Sequence, residues 1–341
     1  EEEESSTEVE WHFLLIMRPI MAFNESGGRH LIIIRHGERC DFVFNAPGKK
    51  SWVKRAFTEQ GAYTPFDCNL PRNVPRRSDG HEGFESDTPL TEMGYLQSKL
   101  IGRAMRDQGI QIDHIYVSSA LRCIQTGVGI IKGYGLGRGE NRELKMNIDG
   151  SLYEWMQWCR GVKPSTMEHS DMLKIGKATV KNRNYRGVLF VKTVILLYSF
   201  LISGYPINTL YKPMATVDEL RLDETVPQYY QRSHSLVQRV LKKHTTGTIL
   251  LIGHASTLEA TTRQLCGGEI RSNEDFFTML RNTPYLGSVH AFEHPRRGWE
   301  LNGSAVPPLT HSSNYSFDPS IFKLERDEIK KRAEKDYNFN L

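Results

Sequence analysis

Three short segments of this chain each run through an almost unbroken string of β-branched and aliphatic residues, break at a small polar loop, and pass into a stretch able to begin a helix. They are HLIIIRHGER at 30–39, DHIYVSSALRCIQTG at 113–127 and GTILLIGHASTLEA at 247–260. A strand that is apolar on both faces has no side to offer water, and that condition selects a parallel sheet covered by helices above and below. The expected fold is therefore α/β, a three-layer α/β/α sandwich around a mostly parallel central sheet. In such sheets ligands bind beyond the carboxyl ends of the strands. The residues standing there are Arg35-His36-Gly37, Ser118-Ser119 with Arg122, and Gly253-His254, so that distant histidines and arginines are directed to one crevice.

Helical periodicity fills the intervals. Over 91–108, Leu96, Leu100 and Ala104 form an i, i+4 stripe, with Thr91 as N-cap and Gly109 as the stop. From about 228 to 244, Tyr230, Val237 and Leu241 form an apolar face, with Pro227 near the first turn and Gly247 beyond the last. Residues 42–89, rich in Pro, Arg and aromatics and poor in periodicity, read as a functional loop excursion in which substrate choice resides. The organisation that follows is an N-terminal tail at 1–28, a principal domain at 29–300, and a polar C-terminal tail at 301–341 that is expected to be mobile.

One stretch fits none of this. Residues 188–202, VLFVKTVILLYSFLI, follow Lys174, Lys177, Lys181, Arg183 and Arg186, which in outline resembles a membrane anchor. Its 15 residues fall short of the roughly 20 that span a bilayer, and a crossing there would separate His36 from His254 although their strands belong to one sheet. Gly176-Lys177 can be encoded GGTAAG and Ile202-Ser203-Gly204 can be encoded ATTTCAGG, a splice donor and an acceptor. About 177–203 is therefore expected to be a translated intron, the alternative being an insertion packed on the domain edge.

Composition excludes several classes. Hydrophobic residues at 39% and charged residues at 25% argue against wholesale disorder and against a polytopic membrane protein. A net charge of +4 spread along the chain is too weak for a nucleic-acid partner but suits a pocket that attracts anions. Five scattered cysteines, Cys40, Cys68, Cys123, Cys159 and Cys266, contain no CxxC pair and indicate neither a disulfide framework nor a zinc site. The acidic opening EEEESSTEVE, and an apolar run at 11–22 broken by Arg18 and Pro19, have the wrong charge order for a signal peptide, so a cytoplasmic location is the default. Met17 and Met21 are candidate start sites.

The chemistry concentrates at the strand ends. A neutral imidazole attacks phosphorus when one ring nitrogen is fixed by a nearby carbonyl and the other faces the substrate, while guanidiniums hold the phosphoryl oxygens. His36, between Arg35 and Arg39, has that setting; a lone histidine elsewhere would ordinarily be a satisfied core residue. Arg122 stands where a helix begins, and free helix N–H groups favour phosphate, although an isolated Arg is more often a surface ion partner. His254 ends another strand, where it can hydrogen-bond a phosphoryl oxygen and stabilise transition-state charge. Glu154, between Tyr153 and Trp155, is partly desolvated and so suited to general acid work, but a surface Glu is the commoner case.

RHGERCD (35–41), LPRNVPRRSDGHEGFESDTPLTEMG (70–94), SSALRCIQTG (118–127), LYEWMQW (152–158), IGHASTLEA (252–260) and PYLG (284–287) together resemble the histidine phosphatase superfamily, of phosphoglycerate mutase-like fold, over about 29–295 apart from the anomalous segment. Within it the likeness is to the phosphatase domain of the suppressor of T-cell receptor signalling (TULA) proteins and to ecdysteroid-phosphate phosphatase. The resemblance implies a phosphomonoester hydrolase that needs no metal and no cofactor. It implies that His36 becomes phosphorylated, that Arg35, Arg39, Arg122 and His254 form the phosphate pocket, and that Glu154 protonates the leaving group. It favours protein phosphotyrosine in signalling as substrate, with Phe42, Phe44 and Trp52 able to face a phenyl ring. Steroid phosphates, other small phosphomonoesters, and a weakly active phosphate-binding scaffold are the alternatives. Neither nucleic acid nor membrane is an expected partner, and a homodimer is left open. Mutases of this family follow His-Gly with Glu-Ser and a nearby Asn, which Arg39 and Asp41 contradict; the acid-phosphatase branch carries His-Asp where this chain has His254-Ala255.

Overall fold

The three apolar segments become neighbouring strands of one six-stranded sheet. The strands are β1 (His30–Arg35), β2 (His114–Ser118), β3 (Met146–Asp149), β4 (Thr248–Gly253), β5 (Ser288–His294) and β6 (Gly298–Leu301), in the order β3-β2-β4-β1-β5-β6. The computed structural model describes residues 28–135, 144–174, 205–304, 306–329 and 331; the stretch 177–203 with its expected intron lies outside them. β3, β2, β4 and β1 run parallel, whereas β5 lies antiparallel to β1 and β6 antiparallel to β5. Register then matters for the site. Arg35 pairs with Gly253, and Val117 with Ile252, so the parallel strands end level and release His36, Ser118 and His254 at one edge.

Alternation along these strands builds two cores. Ile32, Ile34, Ile115, Val117, Leu250 and Ile252 point to one face, and Leu31, Ile33, Tyr116, Ile249 and Leu251 to the other. The first face is covered by α1 (Glu92–Asp107) and α2 (Leu121–Tyr134). The second is covered by α3 (Val226–Lys243), α4 (Ala255–Thr262) and α5 (Asn273–Arg281), completing the three layers. Thr91 caps α1 by accepting the Gly94 N–H at 3.0 Å, and Thr225 forms a reciprocal capping box with Gln228 at the start of α3.

The apolar stripe expected of α1 faces the wrong way. Leu96 and Leu100 are 46% and 42% exposed, and the helix turns Gly94, Ser98, Ile101, Gly102 and Met105 inward. Small residues win because α1 docks backbone to backbone on α2: any side chain on Gly102 would collide with the Ile130 carbonyl.

Two further readings are revised. The excursion at 42–89 is packed, with short helices at Cys40–Phe44 and Trp52–Ala56, a 3-10 turn at His81–Glu85, and Trp52, Leu70 and Phe84 buried in the first core. The polar C-terminal tail is docked through residues 306–329, where Val306, Ile321, Phe322 and Ile329 are buried. Arg271 secures it by donating to the carbonyls of Phe322 at 3.0 Å and Leu324 at 2.6 Å. A few apolar side chains at wide intervals suffice to seat a mostly polar segment. Among the described residues no helix is long and apolar enough to cross a membrane.

Candidate active site

His36 follows β1 directly and is fixed at three points. Its N–H donates to the Gly253 carbonyl at 2.9 Å and its carbonyl accepts from the Leu286 N–H at 3.3 Å. The ring Nδ1 lies 2.8 Å from the Gly37 carbonyl. A carbonyl only accepts, so Nδ1 carries the hydrogen and Nε2 is left with its lone pair. Gly37 is required for this turn, since a Cβ there would stand 2.8 Å from the Gly94 carbonyl; its own N–H donates to Thr126 Oγ1 at 3.0 Å, tying the loop to α2. Burial, reinforced by the positive fields of Arg122 and Arg35, holds the His36 imidazole well below 6.5, so it is neutral.

His254 stands across the site, with ring centroids 5.5 Å apart at 73°. Its Nε2 meets Ser118 Oγ at 2.9 Å and its Nδ1 meets Arg122 Nη2 at 3.3 Å. Guanidinium groups only donate, so Nδ1 is the acceptor and this ring too is neutral. Burial and the neighbouring Arg122 and Arg39 charges keep it so.

Arg122 lies in the first turn of α2 and is fully buried. Its Nη2 bonds Glu154 Oε1 at 2.5 Å, and the Glu154 Oε2 sits 3.8 Å from His254 Nδ1. Burial opposes its charge, but Glu154 more than restores it, and the net displacement is upward. Two of its donors, Nε and Nη1, are buried without a partner among the described residues, as are Arg35 Nε and Ser119 Oγ. Buried donors of this kind are costly and call for an occupant, and three of these four atoms belong to guanidiniums.

Arg35 donates to the Thr283 carbonyl and stacks on Tyr285 at 4.3 Å, whose ring is in turn 5.7 Å from that of His36. Arg39 grips Asp41 through Nε and Nη2, each at 2.6 Å, and covers the Phe42 ring at 4.8 Å. Of the aromatics expected near the nucleophile, only Phe42 is free to meet a substrate ring, being 69% exposed. Trp52 is core packing against Phe84, and Phe44 packs edge-on against Phe66. A groove of about 500 Å³, lined by Arg35, Tyr285, Phe317 and Ile321 among others, opens beside the cluster.

All six residues singled out from the sequence, Arg35, His36, Arg39, Arg122, Glu154 and His254, thus converge. Others carried little signal. Ser118, Thr126, Tyr285, Asp41 and Asp87 lie inside motifs already noted, whereas Arg232 stands outside them, and Asp87 and Arg232 act on backbone that only folding brings near.

A mostly parallel sheet that gathers neutral histidines and guanidinium donors without partners among the described residues at its carboxyl edge defines an α/β protein with a site suited to an anion. A model described as "Histidine phosphatase superfamily (branch 1)" matches residues 75–163, a span that includes Arg122 and Glu154. The ecdysteroid-phosphate phosphatase of Drosophila melanogaster is 32% identical over 292 residues, which is 85% of this chain and 34% of that protein. Ubiquitin-associated and SH3 domain-containing protein B of Mus musculus is 30% identical over 308 residues, 89% of this chain and 43% of that protein. The crystal structure of the ecdysone phosphate phosphatase of Bombyx mori in complex with tungstate superposes with a TM-score of 0.61 at 25% identity, covering 83% of this chain and 95% of that one. The chain belongs to the histidine phosphatase superfamily, with a phosphoglycerate mutase-like fold, and spans less than half the length of the curated relatives it matches.

Proposed function

We propose that this chain is a metal-independent phosphomonoester hydrolase that works through a phosphohistidine on His36. The observation that carries the reading is a neutral imidazole, oriented by the Gly37 carbonyl, beside buried guanidinium donors that have no partner among the described residues. A phosphoryl group enters as the missing partner: Arg122 Nε and Nη1 and Arg35 Nε take its oxygens, and Arg39 and His254 complete the pocket. His36 Nε2 forms the N–P bond as the P–O bond to the leaving group breaks, and Glu154 gives that oxygen its proton. Water then forms a new P–O bond while the N–P electron pair returns to Nε2, and Glu154 takes the proton that water releases. Charge stabilisation rests on the arginines throughout, with neutral His254 holding Arg122 through Nδ1, and no cofactor enters the scheme.

Protein phosphotyrosine is the substrate class we favour, in cytoplasmic signalling. Exposed Phe42 beside Arg39 supports it, because an aryl leaving group can lie against that ring, and the free thiols of Cys40, Cys68, Cys123, Cys159 and Cys266 suit a reducing compartment. A steroid phosphate is the second reading, favoured by the groove of about 500 Å³ lined by Tyr285, Phe317 and Ile321. A panel of phosphotyrosine peptide, steroid phosphate and phosphoglycerate, with His36→Ala as control, tests both. The expected result is the highest kcat/KM on the peptide and no turnover by the variant. A preference for steroid phosphate overturns the tyrosine reading, and turnover by His36→Ala overturns the mechanism. Tight phosphate binding with no hydrolysis of any substrate would make the chain a scaffold.

A further inference from the structure

The candidate proton donor sits on a stretch with little regular structure of its own. Glu154 lies between a 3-10 turn at Gly150–Leu152 and another at Met156–Cys159, so its place must be set from outside. Arg122 holds its carboxylate, and the backbone on either side of it is held by an ion pair from another element. Arg232, on α3, grips Glu224 bidentately, Nε and Nη2 each 2.7 Å from a carboxylate oxygen, and both side chains are nearly buried. The remaining guanidinium donors reach the backbone around Glu154: Nη1 donates to the carbonyls of Ser151 at 2.9 Å and Tyr153 at 3.0 Å, and Nη2 approaches that of Glu154 at 3.5 Å. On the other flank, Glu224 takes the Trp155 indole N–H on its backbone carbonyl at 2.6 Å and approaches the Met156 N–H with its carboxylate at 3.4 Å. The stretch 151–156 is thereby pinned on both sides of Glu154 by one charged couple.

We propose that Arg232, locked by Glu224, is the positioning residue for Glu154, setting the distance between that carboxyl group and the leaving oxygen without touching substrate. The planar fork is essential to this: it meets both oxygens of a carboxylate and two carbonyls at once, four acceptors for which a lysine ammonium has only three donors. Displacement of a catalytic group by about 1 Å can cost as much as about 100-fold in rate, so loss of the clamp acts on the step that needs the proton. This inference rests on the reading of Glu154 as general acid.

The test exploits what a general acid does. A poor leaving group needs the proton and a good one does not, so kcat/KM is measured for phenyl phosphate and dinitrophenyl phosphate in the full chain. Glu154→Ala should lose about 100-fold or more on phenyl phosphate and far less on dinitrophenyl phosphate. Arg232→Ala should show the same leaving-group bias at about tenfold or more, and should add almost nothing in the Glu154→Ala background. Equal losses on both substrates, or full additivity in the double variant, would overturn the proposal while leaving Glu154 as the acid. Absence of leaving-group bias in Glu154→Ala itself would instead remove the acid assignment. Should Arg232→Ala fail to fold, Arg232→Lys and Glu224→Gln carry the same comparison, and normal thermal unfolding with normal leaving-group dependence in both would refute the clamp.

Discussion

At the scale of single residues the site is governed by which charges are already paired before substrate arrives. Arg39 spends Nε and Nη2 on Asp41, whereas Arg122 keeps Nε and Nη1 open while sharing Nη2 with Glu154. Arg122→Ala is therefore expected to cost about 4 kcal/mol in transition-state stabilisation and Arg39→Ala about 2 kcal/mol, measured from kcat/KM; the reverse order would contradict the pairing argument. The histidines make a second prediction, about acid. Burial holds His36 and His254 well below 6.5, His244 to about 4 and His290 to about 3. Each takes up its proton at a higher pH in the unfolded chain than in the folded one, so unfolding binds protons below about 6.5 and stability falls as the pH falls. Urea midpoints should drop from about pH 7 to about pH 5 and continue to drop toward the titrations of His244 and His290; a midpoint that holds or rises would refute this. The six site residues were legible because each stands in a motif, most of them at the end of a recognisable strand. The roles of Asp87 and Arg232 were not, because a polar residue in a loop or mid-helix announces nothing until its distant partner is known.

At the scale of elements, one buried carboxylate aligns the helix that delivers Arg122. Asp87 is fully buried; its Oδ1 accepts the Leu121 N–H at 2.7 Å, and its Oδ2 meets Arg77 Nη1 at 3.1 Å and the Met167 N–H at 3.3 Å. It therefore caps α2, whose own N-cap residue Ala120 has no side chain to do so, and fastens 77–87 and the 165–167 segment to the same point. Asp87→Ala should destabilise the fold by about 2 kcal/mol, because it removes one of the two carboxylates that pair with buried Arg77, leaving Asp79, and uncaps the helix that carries Arg122. Urea unfolding reads the first effect and kcat the second; loss of stability with unchanged kcat would mean that the cap does not position Arg122. Elements differed in how far they could be read in advance. The parallel strands were plain because burial on both faces leaves an unbroken apolar run, and α3 because its Tyr230, Val237 and Leu241 face is the buried one. The orientation of α1 was hidden because close packing against α2 favours Ser98 and Gly102, and close packing against the Glu38 backbone favours Gly94, so the hydrophobic pattern pointed outward.

At the scale of the whole molecule, the question is what the chain loses if the stretch 177–203 is removed. Its flanks are already joined: the Tyr205 N–H donates to the Met172 carbonyl at 3.3 Å. Beyond that point the chain continues along the sheet edge, where the Met146 N–H donates to the Pro206 carbonyl at 2.8 Å and Ile207 forms a parallel bridge with Met146. Deletion would leave Ile175, Gly176 and Gly204 between Lys174 and Tyr205, and three residues reach about 10 Å when extended. That is ample for ends held together by a backbone hydrogen bond, and two of the three are glycines able to turn. Shortening the connection also lowers the entropy of closing it. The deletion variant is therefore expected to fold with an equal or higher thermal midpoint and to hydrolyse p-nitrophenyl phosphate within about threefold of the full chain. Failure to fold, or collapse of kcat/KM, would make the stretch part of the working domain, and a mature message carrying it as the main form would refute its reading as intron. Retained activity would instead show that Glu154 before the deletion and His254 after it are brought to one pocket by the sheet and helices alone.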